Sequence, residues 1–292
     1  MVNVNEKMDT MIQNQLLTKP AGKKNRGHKL LQAFTPMGKI SRRHTILLAA
    51  AAFAGILGLW TLLIAVVGID PFFLPSPSAT LSAAQTLLSD GEFIKGVQMT
   101  VFRVMTGFII AAAIAVPLGL LIGTYAPASA ILEYVFSFVR YLPASAVIPL
   151  FIRCIRIKKK KKIAVIILGS LPQLVLMVAT NVRNVPMSMI EVSYTLGTSK
   201  ADVLWKIILP KSLPDIVDSL RTVLGWAWTY IIVAELVGAS SGIGYMIIQS
   251  QRMMNTSRIF VGILTIGLIG MIIDIAFKLA HHHFFYWNKE MH

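Results

Sequence analysis

Cysteine, acidic residues and nucleotide-binding signatures are scarce or missing in this 292-residue chain. A single cysteine, Cys154, excludes an internal disulfide and any Cys-x-x-Cys metal site. No Gly-x4-Gly-Lys-Ser/Thr run occurs, so the chain has no loop of its own to cradle ATP phosphates. There is neither a His-Glu-x-x-His pair nor a serine elbow, and nothing marks the chain as an enzyme. Charged residues make up only 14%, against about 25% in ordinary soluble domains. Asp and Glu number 13 against 28 Lys and Arg. What fills the chain instead is apolar, 55% of all residues. Such a composition belongs in a bilayer, where backbone groups must satisfy one another, so the expected class is an all-α polytopic membrane protein. The net charge of +15 is then read as basic loops and tails on the cytoplasmic side, not as a nucleic-acid surface.

Length and lack of charge mark about six candidate spans, at 45–67, 101–122, 130–152, 163–180, 216–237 and 259–280. The third contains Glu133, Arg140, Pro143 and Pro149. Met1 to Arg43 is polar and basic, and the 23-residue run Thr45–Val67 is too long for the core of a signal peptide; it reads as a retained first helix. Between the first two spans, Pro71, Pro75 and Pro77 forbid a helix, after which Ser78–Leu88 reads as a short amphipathic helix on the surface. No soluble domain fits. With residues 1–44 placed in the cytoplasm as a basic tail, fifteen Lys and Arg fall inside and ten outside. The same orientation makes 281–292 a cytoplasmic tail and 184–215 a cytoplasmic loop. Arg153–Lys162, with five consecutive lysines, then faces outward as a solvated turn.

That loop at 184–215 is the most patterned part of the chain. Ser188-Met-Ile-Glu191 has the form of a capping box and marks a helix start; the helix can run to Leu196 and stop at Gly197 in a left-handed turn. Ser199 offers a fresh N-cap with Asp202 in the next first turn. Leu204, Ile207 and Ile208 then line one apolar stripe, and Pro210 ends it. The expectation is two short helices joined by a glycine elbow.

The spacing Glu191-x5-Gly197-x9-Ile207-x-Leu209-Pro210 resembles the EAA loop of ATP-driven importer permeases. The similarity covers about Phe73 to Lys278, including Thr100–Phe108, Arg140–Leu150 and Arg183–Pro186. Gly225–Thr229 and Ala234–Tyr245 are similar to the subgroup that imports nitrate, bicarbonate, taurine and other sulfonates. The resemblance implies a MetI-like permease fold, with both termini cytoplasmic, in a bacterial inner membrane. It implies ATPase docking through Glu191, Val192, Ser193, Gly197, Ile207, Leu209 and Pro210. It also implies two ATP-binding subunits, a second permease copy in a homodimer, an extracytoplasmic substrate-binding protein, and surrounding lipid. No cofactor is expected on this chain; ATP and Mg belong to the partner ATPase. Relatives carry a Trp-Phe-Gly-Ile-Gly-like turn where this chain has its lysines. The rival reading, a secondary transporter or channel working without ATP, would favour inverted repeats, and none stands out.

Charges inside spans cost about 2.5–3.5 kcal/mol each at a helix centre and call for a role. Arg103, Arg140 and Glu235 are candidates for pairing or for lining a polar path. Asp218 and Arg221 are expected to snorkel at the inner edge. Gly107, Gly119, Gly123 and Gly225 would let helices approach closely. His281–His283 are expected beyond the last helix, as a polar membrane edge and not a metal site.

Overall fold

The computed structural model describes residues 41–144, 146–147, 158–238 and 240–285, and these are helical or in short turns, without a strand. The chain divides into two compact units, Met1–Trp60 and Thr61–His292. The described part of the first unit belongs to helix α1 (Arg42–Val67), an unbroken apolar sequence with no proline. The second unit carries α2 (Pro77–Ser89), α3 (Gly91–Thr124), α4 (Ala126–Arg140), α5 (Lys158–Arg183), α6 (Met187–Thr195) and α7 (Lys200–Val203). A π-helical turn, Leu204–Ile208, then runs directly into α8 (Leu209–Gly238), followed by α9 (Ile243–Arg252) and α10 (Thr256–Phe284).

Local chemistry explains the boundaries. Pro77 sits at the start of α2, where its missing N–H costs nothing, and Ser76 accepts from the Ala79 N–H at 3.1 Å. Asp90 caps α3 through Glu92, ten residues ahead of the expected start. The polar residues at 92 and 95 therefore belong to the first turns of a long helix and not to a loop. Helix α4 stops at Arg140, and the Tyr141 and Leu142 N–H groups close the end onto Phe138 and Val139. Pro143 follows, and a residue preceding proline is pushed out of the helical region.

Helices α3, α5 and α8 build the core. Val104, Phe108, Ala115, Leu174, Val178, Val223, Leu224 and Ile231 are among its buried side chains. Three glycines set how α3 meets α5. A Cβ on Gly107 would lie 2.9 Å from Ile166 Cβ, on Gly119 2.5 Å from Val178 Cβ, and on Gly123 2.6 Å from Val182 Cβ. Each glycine faces the residue 59 positions further on, so α3 and α5 run parallel and in fixed register. Gly225, grouped with them from the sequence, has no atom within 4 Å of its would-be Cβ and plays no such part.

Parallel packing has a topological consequence. Two consecutive long helices running in the same direction cannot be joined by a short turn at one end. Among the described residues five stretches are long and apolar enough to cross a bilayer: Arg43–Val67, Gly91–Thr124, Lys162–Arg183, Lys200–Val237 and Thr256–Phe284. The expected third span, 130–152, is not one helix. Its described part is α4, whose 15 residues reach only about 22 Å, and the remainder lies outside the described residues. Glu133 on α4 is held by Arg183 at the end of α5, at 2.5 and 3.0 Å, and Arg183 also reaches Ser129 at 2.9 Å. Helix α4 is thereby tied to the end of α5.

Helix α8 runs antiparallel to α5. Asn181 donates to Ser219 at 2.7 Å near one end, and Tyr230 packs on Gly169 toward the other. Arg221 does not snorkel. It pairs with Asp274 on α10 and lies 3.7 Å from Asp218, while Lys278 holds the second Asp274 oxygen at 2.9 Å. His281–His283 fall within the last turn of α10, not beyond it, and His281 approaches Asp218 at 3.7 Å.

Gly119→Val would drive a side chain into Val178 and the Val175 carbonyl; it should destabilise the solubilised protein by about 1–3 kcal/mol. Gly225→Ala, facing open space on a helix, should be neutral or stabilising by up to about 1 kcal/mol. Thermal unfolding of the two variants checks this, and a Gly119→Val protein as stable as the wild type would contradict the packing.

Candidate functional site

Two constellations stand at opposite ends of the core. The first is the elbow that links α5 to α8. Pro186 occupies the N-cap of α6 with no side-chain cap, so Ser188 lies inside the first turn and the expected capping box does not form. The proline already fixes a φ of −58° at the boundary, which starts the helix two residues early. The other end follows the sequence closely. Gly197 adopts φ +78°, its N–H donates to Tyr194, and the Thr198 N–H donates to Ser193, both at 3.0 Å. This is a Schellman turn, and it needs the left-handed conformation that glycine takes without strain. Ser199 then caps α7 through the Asp202 N–H at 3.2 Å, and Lys206 pairs with Asp202 at 2.7 Å.

Pro210 does not end a helix. The Leu209 N–H donates back to Leu204, five residues earlier, so the π-turn Leu204–Ile208 absorbs the donor that Pro210 lacks. Ser212 donates its hydroxyl to Ile208 at 2.8 Å, binding a carbonyl of the π-turn. The segment thus continues without a break into α8, one of the stretches long and apolar enough to cross a bilayer.

Of the seven residues singled out, Glu191, Val192, Gly197 and Pro210 are exposed, Ile207 and Leu209 are half-buried against the core, and Ser193 is buried, donating to Met189 at 2.6 Å. Sequence reasoning missed the neighbours that complete the surface. Met189, Val192 and Leu196 follow i, i+3, i+7 spacing and are 41%, 57% and 79% exposed, forming one apolar stripe along α6 and its C-cap. Ile190, on another face, packs against the core. An apolar stripe on a short helix outside the bundle marks an interaction surface.

The second constellation joins two of the three candidate polar residues. Glu235 on α8 is fully buried and Arg103 on α3 is 5% exposed. Arg103 Nη1 lies 2.6 Å from Glu235 Oε1. Thr100 donates to the same carboxylate at 3.0 Å, as does the Gly244 N–H. Arg103 also donates to the Ser241 carbonyl at 2.8 Å and to the Ser241 hydroxyl at 2.9 Å. The Ile243 N–H completes the ring by donating to Thr100 at 2.9 Å. The turn before α9 is thus wrapped round one carboxylate. At Gly242, with φ +118°, a Cβ would meet Glu235 oxygens at 2.3 and 2.4 Å. Thr100 and Arg103 share a helix face at i, i+3 spacing, a signal that was present in the sequence. The contributions of Ser241 and Gly244 depend on a fold back across the helix and were not readable. Arg140 is not in this cluster; it is exposed at the end of α4, 5.0 Å over the Tyr141 ring.

The lysine run is not a loop. Lys158–Lys162 opens α5, and Lys162 is buried. Residues 153–157 lie outside the described residues.

Residues 115–285 match the model of the family described as binding-protein-dependent transport system inner membrane component. A probable ABC transporter permease protein of Brucella abortus is 34% identical over 82% of this chain and 94% of its own length. A putative aliphatic sulfonates transport permease protein of Bacillus subtilis is 29% identical over 81% of this chain and 86% of its own. Among solved structures, an inward-facing MetNI methionine ABC transporter chain aligns with a TM-score of 0.61 at 20% identity, over 67% of this chain and 97% of that one. A buried helical core with its glycine-set register, an elbow continuous with a membrane helix, and these likenesses agree: the chain belongs to the inner-membrane permease components of binding-protein-dependent ABC transport systems, and is not itself their ATPase.

Proposed function

We propose that this permease forms, with a second copy of itself, the translocation pathway of an importer for a small anionic solute, and takes its energy from two ATPase subunits docked on α6. The observation that carries the docking is the stripe Met189, Val192 and Leu196, presented beside the Schellman turn at Gly197 and continuous with α8. Burying one such side chain contributes about 1.5–3 kcal/mol, enough for three to anchor a helix in a cleft. Glu191 stands exposed on the same short helix, where it can meet a basic group on the ATPase. ATP and Mg act in the partner, whose closure draws α6 with it. Because α7, the π-turn and α8 form one rod, that motion reaches Glu235 at the far end of the core without a flexible joint between. Each step is a shift between inward- and outward-facing populations driven by contacts that differ between them. A binding protein outside the membrane delivers the solute. The named substrate of the Bacillus relative, aliphatic sulfonates, supports an anion as cargo.

The basic N-terminal tail supports a cytoplasmic start, which puts α6 and α7 in the cytoplasm with the ATPase and the 240–244 turn outside. A membrane-impermeant thiol reagent on a Cys154→Ser background should therefore label Leu196→Cys only after the membrane is opened, and Ser240→Cys in intact cells. The opposite pattern inverts the topology and removes the docking model.

Leu196→Asp leaves the fold untouched, since Leu196 is 79% exposed, and should reduce co-purification of the ATPase by about tenfold or more, with ATP-driven uptake into vesicles falling in parallel. Gly197→Val, strained at φ +78°, should do the same and also lower thermal stability by about 1–2 kcal/mol. Undiminished ATPase binding and uptake in the Leu196 variant would refute the coupling role of α6.

A further inference from the structure

The ring around Glu235 holds more positive charge than the carboxylate can balance. The register that places Gly107 on Ile166 and Gly119 on Val178 continues upward by one turn and sets Arg103 opposite Lys162. Lys162 is 7% exposed and lies within electrostatic range of both Arg103 and Glu235. Two cationic side chains and one carboxylate are thus buried together at the same end of α3, α5 and α8. The carboxylate is already shared among Thr100, Arg103 and the Gly244 N–H. Arg103 uses both terminal nitrogens, but its buried Nε has no hydrogen-bond partner among the described residues. Buried charges are ordinarily paired, and a cation left over in a membrane interior is costly. The cluster is one negative charge short.

A cavity lies beside it, on the other side of the 240–244 turn. This cavity, of about 520 Å³, is lined by Asp90, Glu92, Lys95, Ser241, Gly242 and Arg258, among others. It ends on Ser241 and Gly242, the residues that cover the Arg103–Glu235 pair. On the orientation proposed above, this cavity opens toward the outside. A solute arriving there is separated from the buried cations by one turn of backbone.

We propose that Arg103 and Lys162 form a binding site for a small, singly charged oxyanion such as a sulfonate, nitrate or bicarbonate, with the Glu235 carboxylate as its built-in competitor. The anion supplies the missing charge, its oxygens accepting from Arg103 Nε and Lys162 Nζ. To reach them from the cavity the anion has to lift the 240–244 turn, which two Arg103–Ser241 bonds hold down. Binding and release of the outer turn are thereby coupled. Lys162, the last residue of an odd-looking lysine run, becomes the residue that sets the charge preference. This deepens the reading of an anion importer and rests on it only for the class of cargo, because the binding itself needs no ATPase.

The test is isothermal titration of methanesulfonate into the full-length permease in nanodiscs of zwitterionic lipid, in chloride-poor buffer, without ATPase. The wild type should bind saturably, one anion per chain, and tetramethylammonium should give no heat. Lys162→Gln should weaken binding by about tenfold or more, the scale of one charge-assisted hydrogen bond, and Lys162→Arg should stay within about threefold. Circular dichroism confirms that each variant is folded. No saturable binding to the wild type overturns the site. So does unchanged affinity in Lys162→Gln, or equal loss in the folded Gln and Arg variants. An intact anion site with failed ATPase docking would discard the coupling model alone, and the reverse result would discard only the site.

Discussion

Removing three side chains from one face of α3 lets it lie directly on α5, and this contact governs the rest of the membrane core. Gly107, Gly119 and Gly123 meet Ile166, Val178 and Val182 at distances a Cβ could not occupy. In lipid the hydrophobic effect does not hold helices together, so close van der Waals contact of this kind has to. The contact recurs at one constant offset, so it permits no slippage. It makes the two helices parallel, which forces the intervening chain to return, and it decides which polar residues of the two helices face each other.

Polar chemistry is then sorted to the two ends of that core. At one end Arg183 clasps Glu133, and Arg221 joins Asp274, fastening α4 and α10 to the central helices. The elbow of α6, α7 and the π-turn stands at this end. At the other end Arg103, Thr100 and the turn before α9 gather round Glu235. The rod from Lys200 to Val237 connects them. On the coupling proposed above, a change at the elbow would arrive at the carboxylate as displacement of this one continuous helix. The π-turn fits this role: it accommodates Pro210 without breaking the rod.

Much of this was legible in the residues. Long uncharged runs gave the crossings, because a helix of that length satisfies its own backbone across the lipid. Gly197 gave the elbow, because only a residue tolerant of φ +78° closes that turn cheaply. The failures share one cause. Ser188 was read as a cap and Pro210 as a stop because local rules assume that each short helix stands alone. In the fold Pro186 starts the first helix, and a π-turn carries the second through its proline into α8. Gly225 looked like Gly119 in sequence, yet only one of them faces a neighbour.

The sequence by itself determined that this chain lives in a bilayer, roughly where it crosses, and that a polar elbow lies between two of the crossings. Those properties follow from composition and from local backbone preference. Tertiary structure alone decided that Arg103 meets Glu235, that Lys162 is buried, and that Arg140 stays exposed. Arg103 and Glu235 are 132 positions apart, and which residues meet across such a gap depends on how closely the helices approach. That approach is a property of the packed pair and not of either helix.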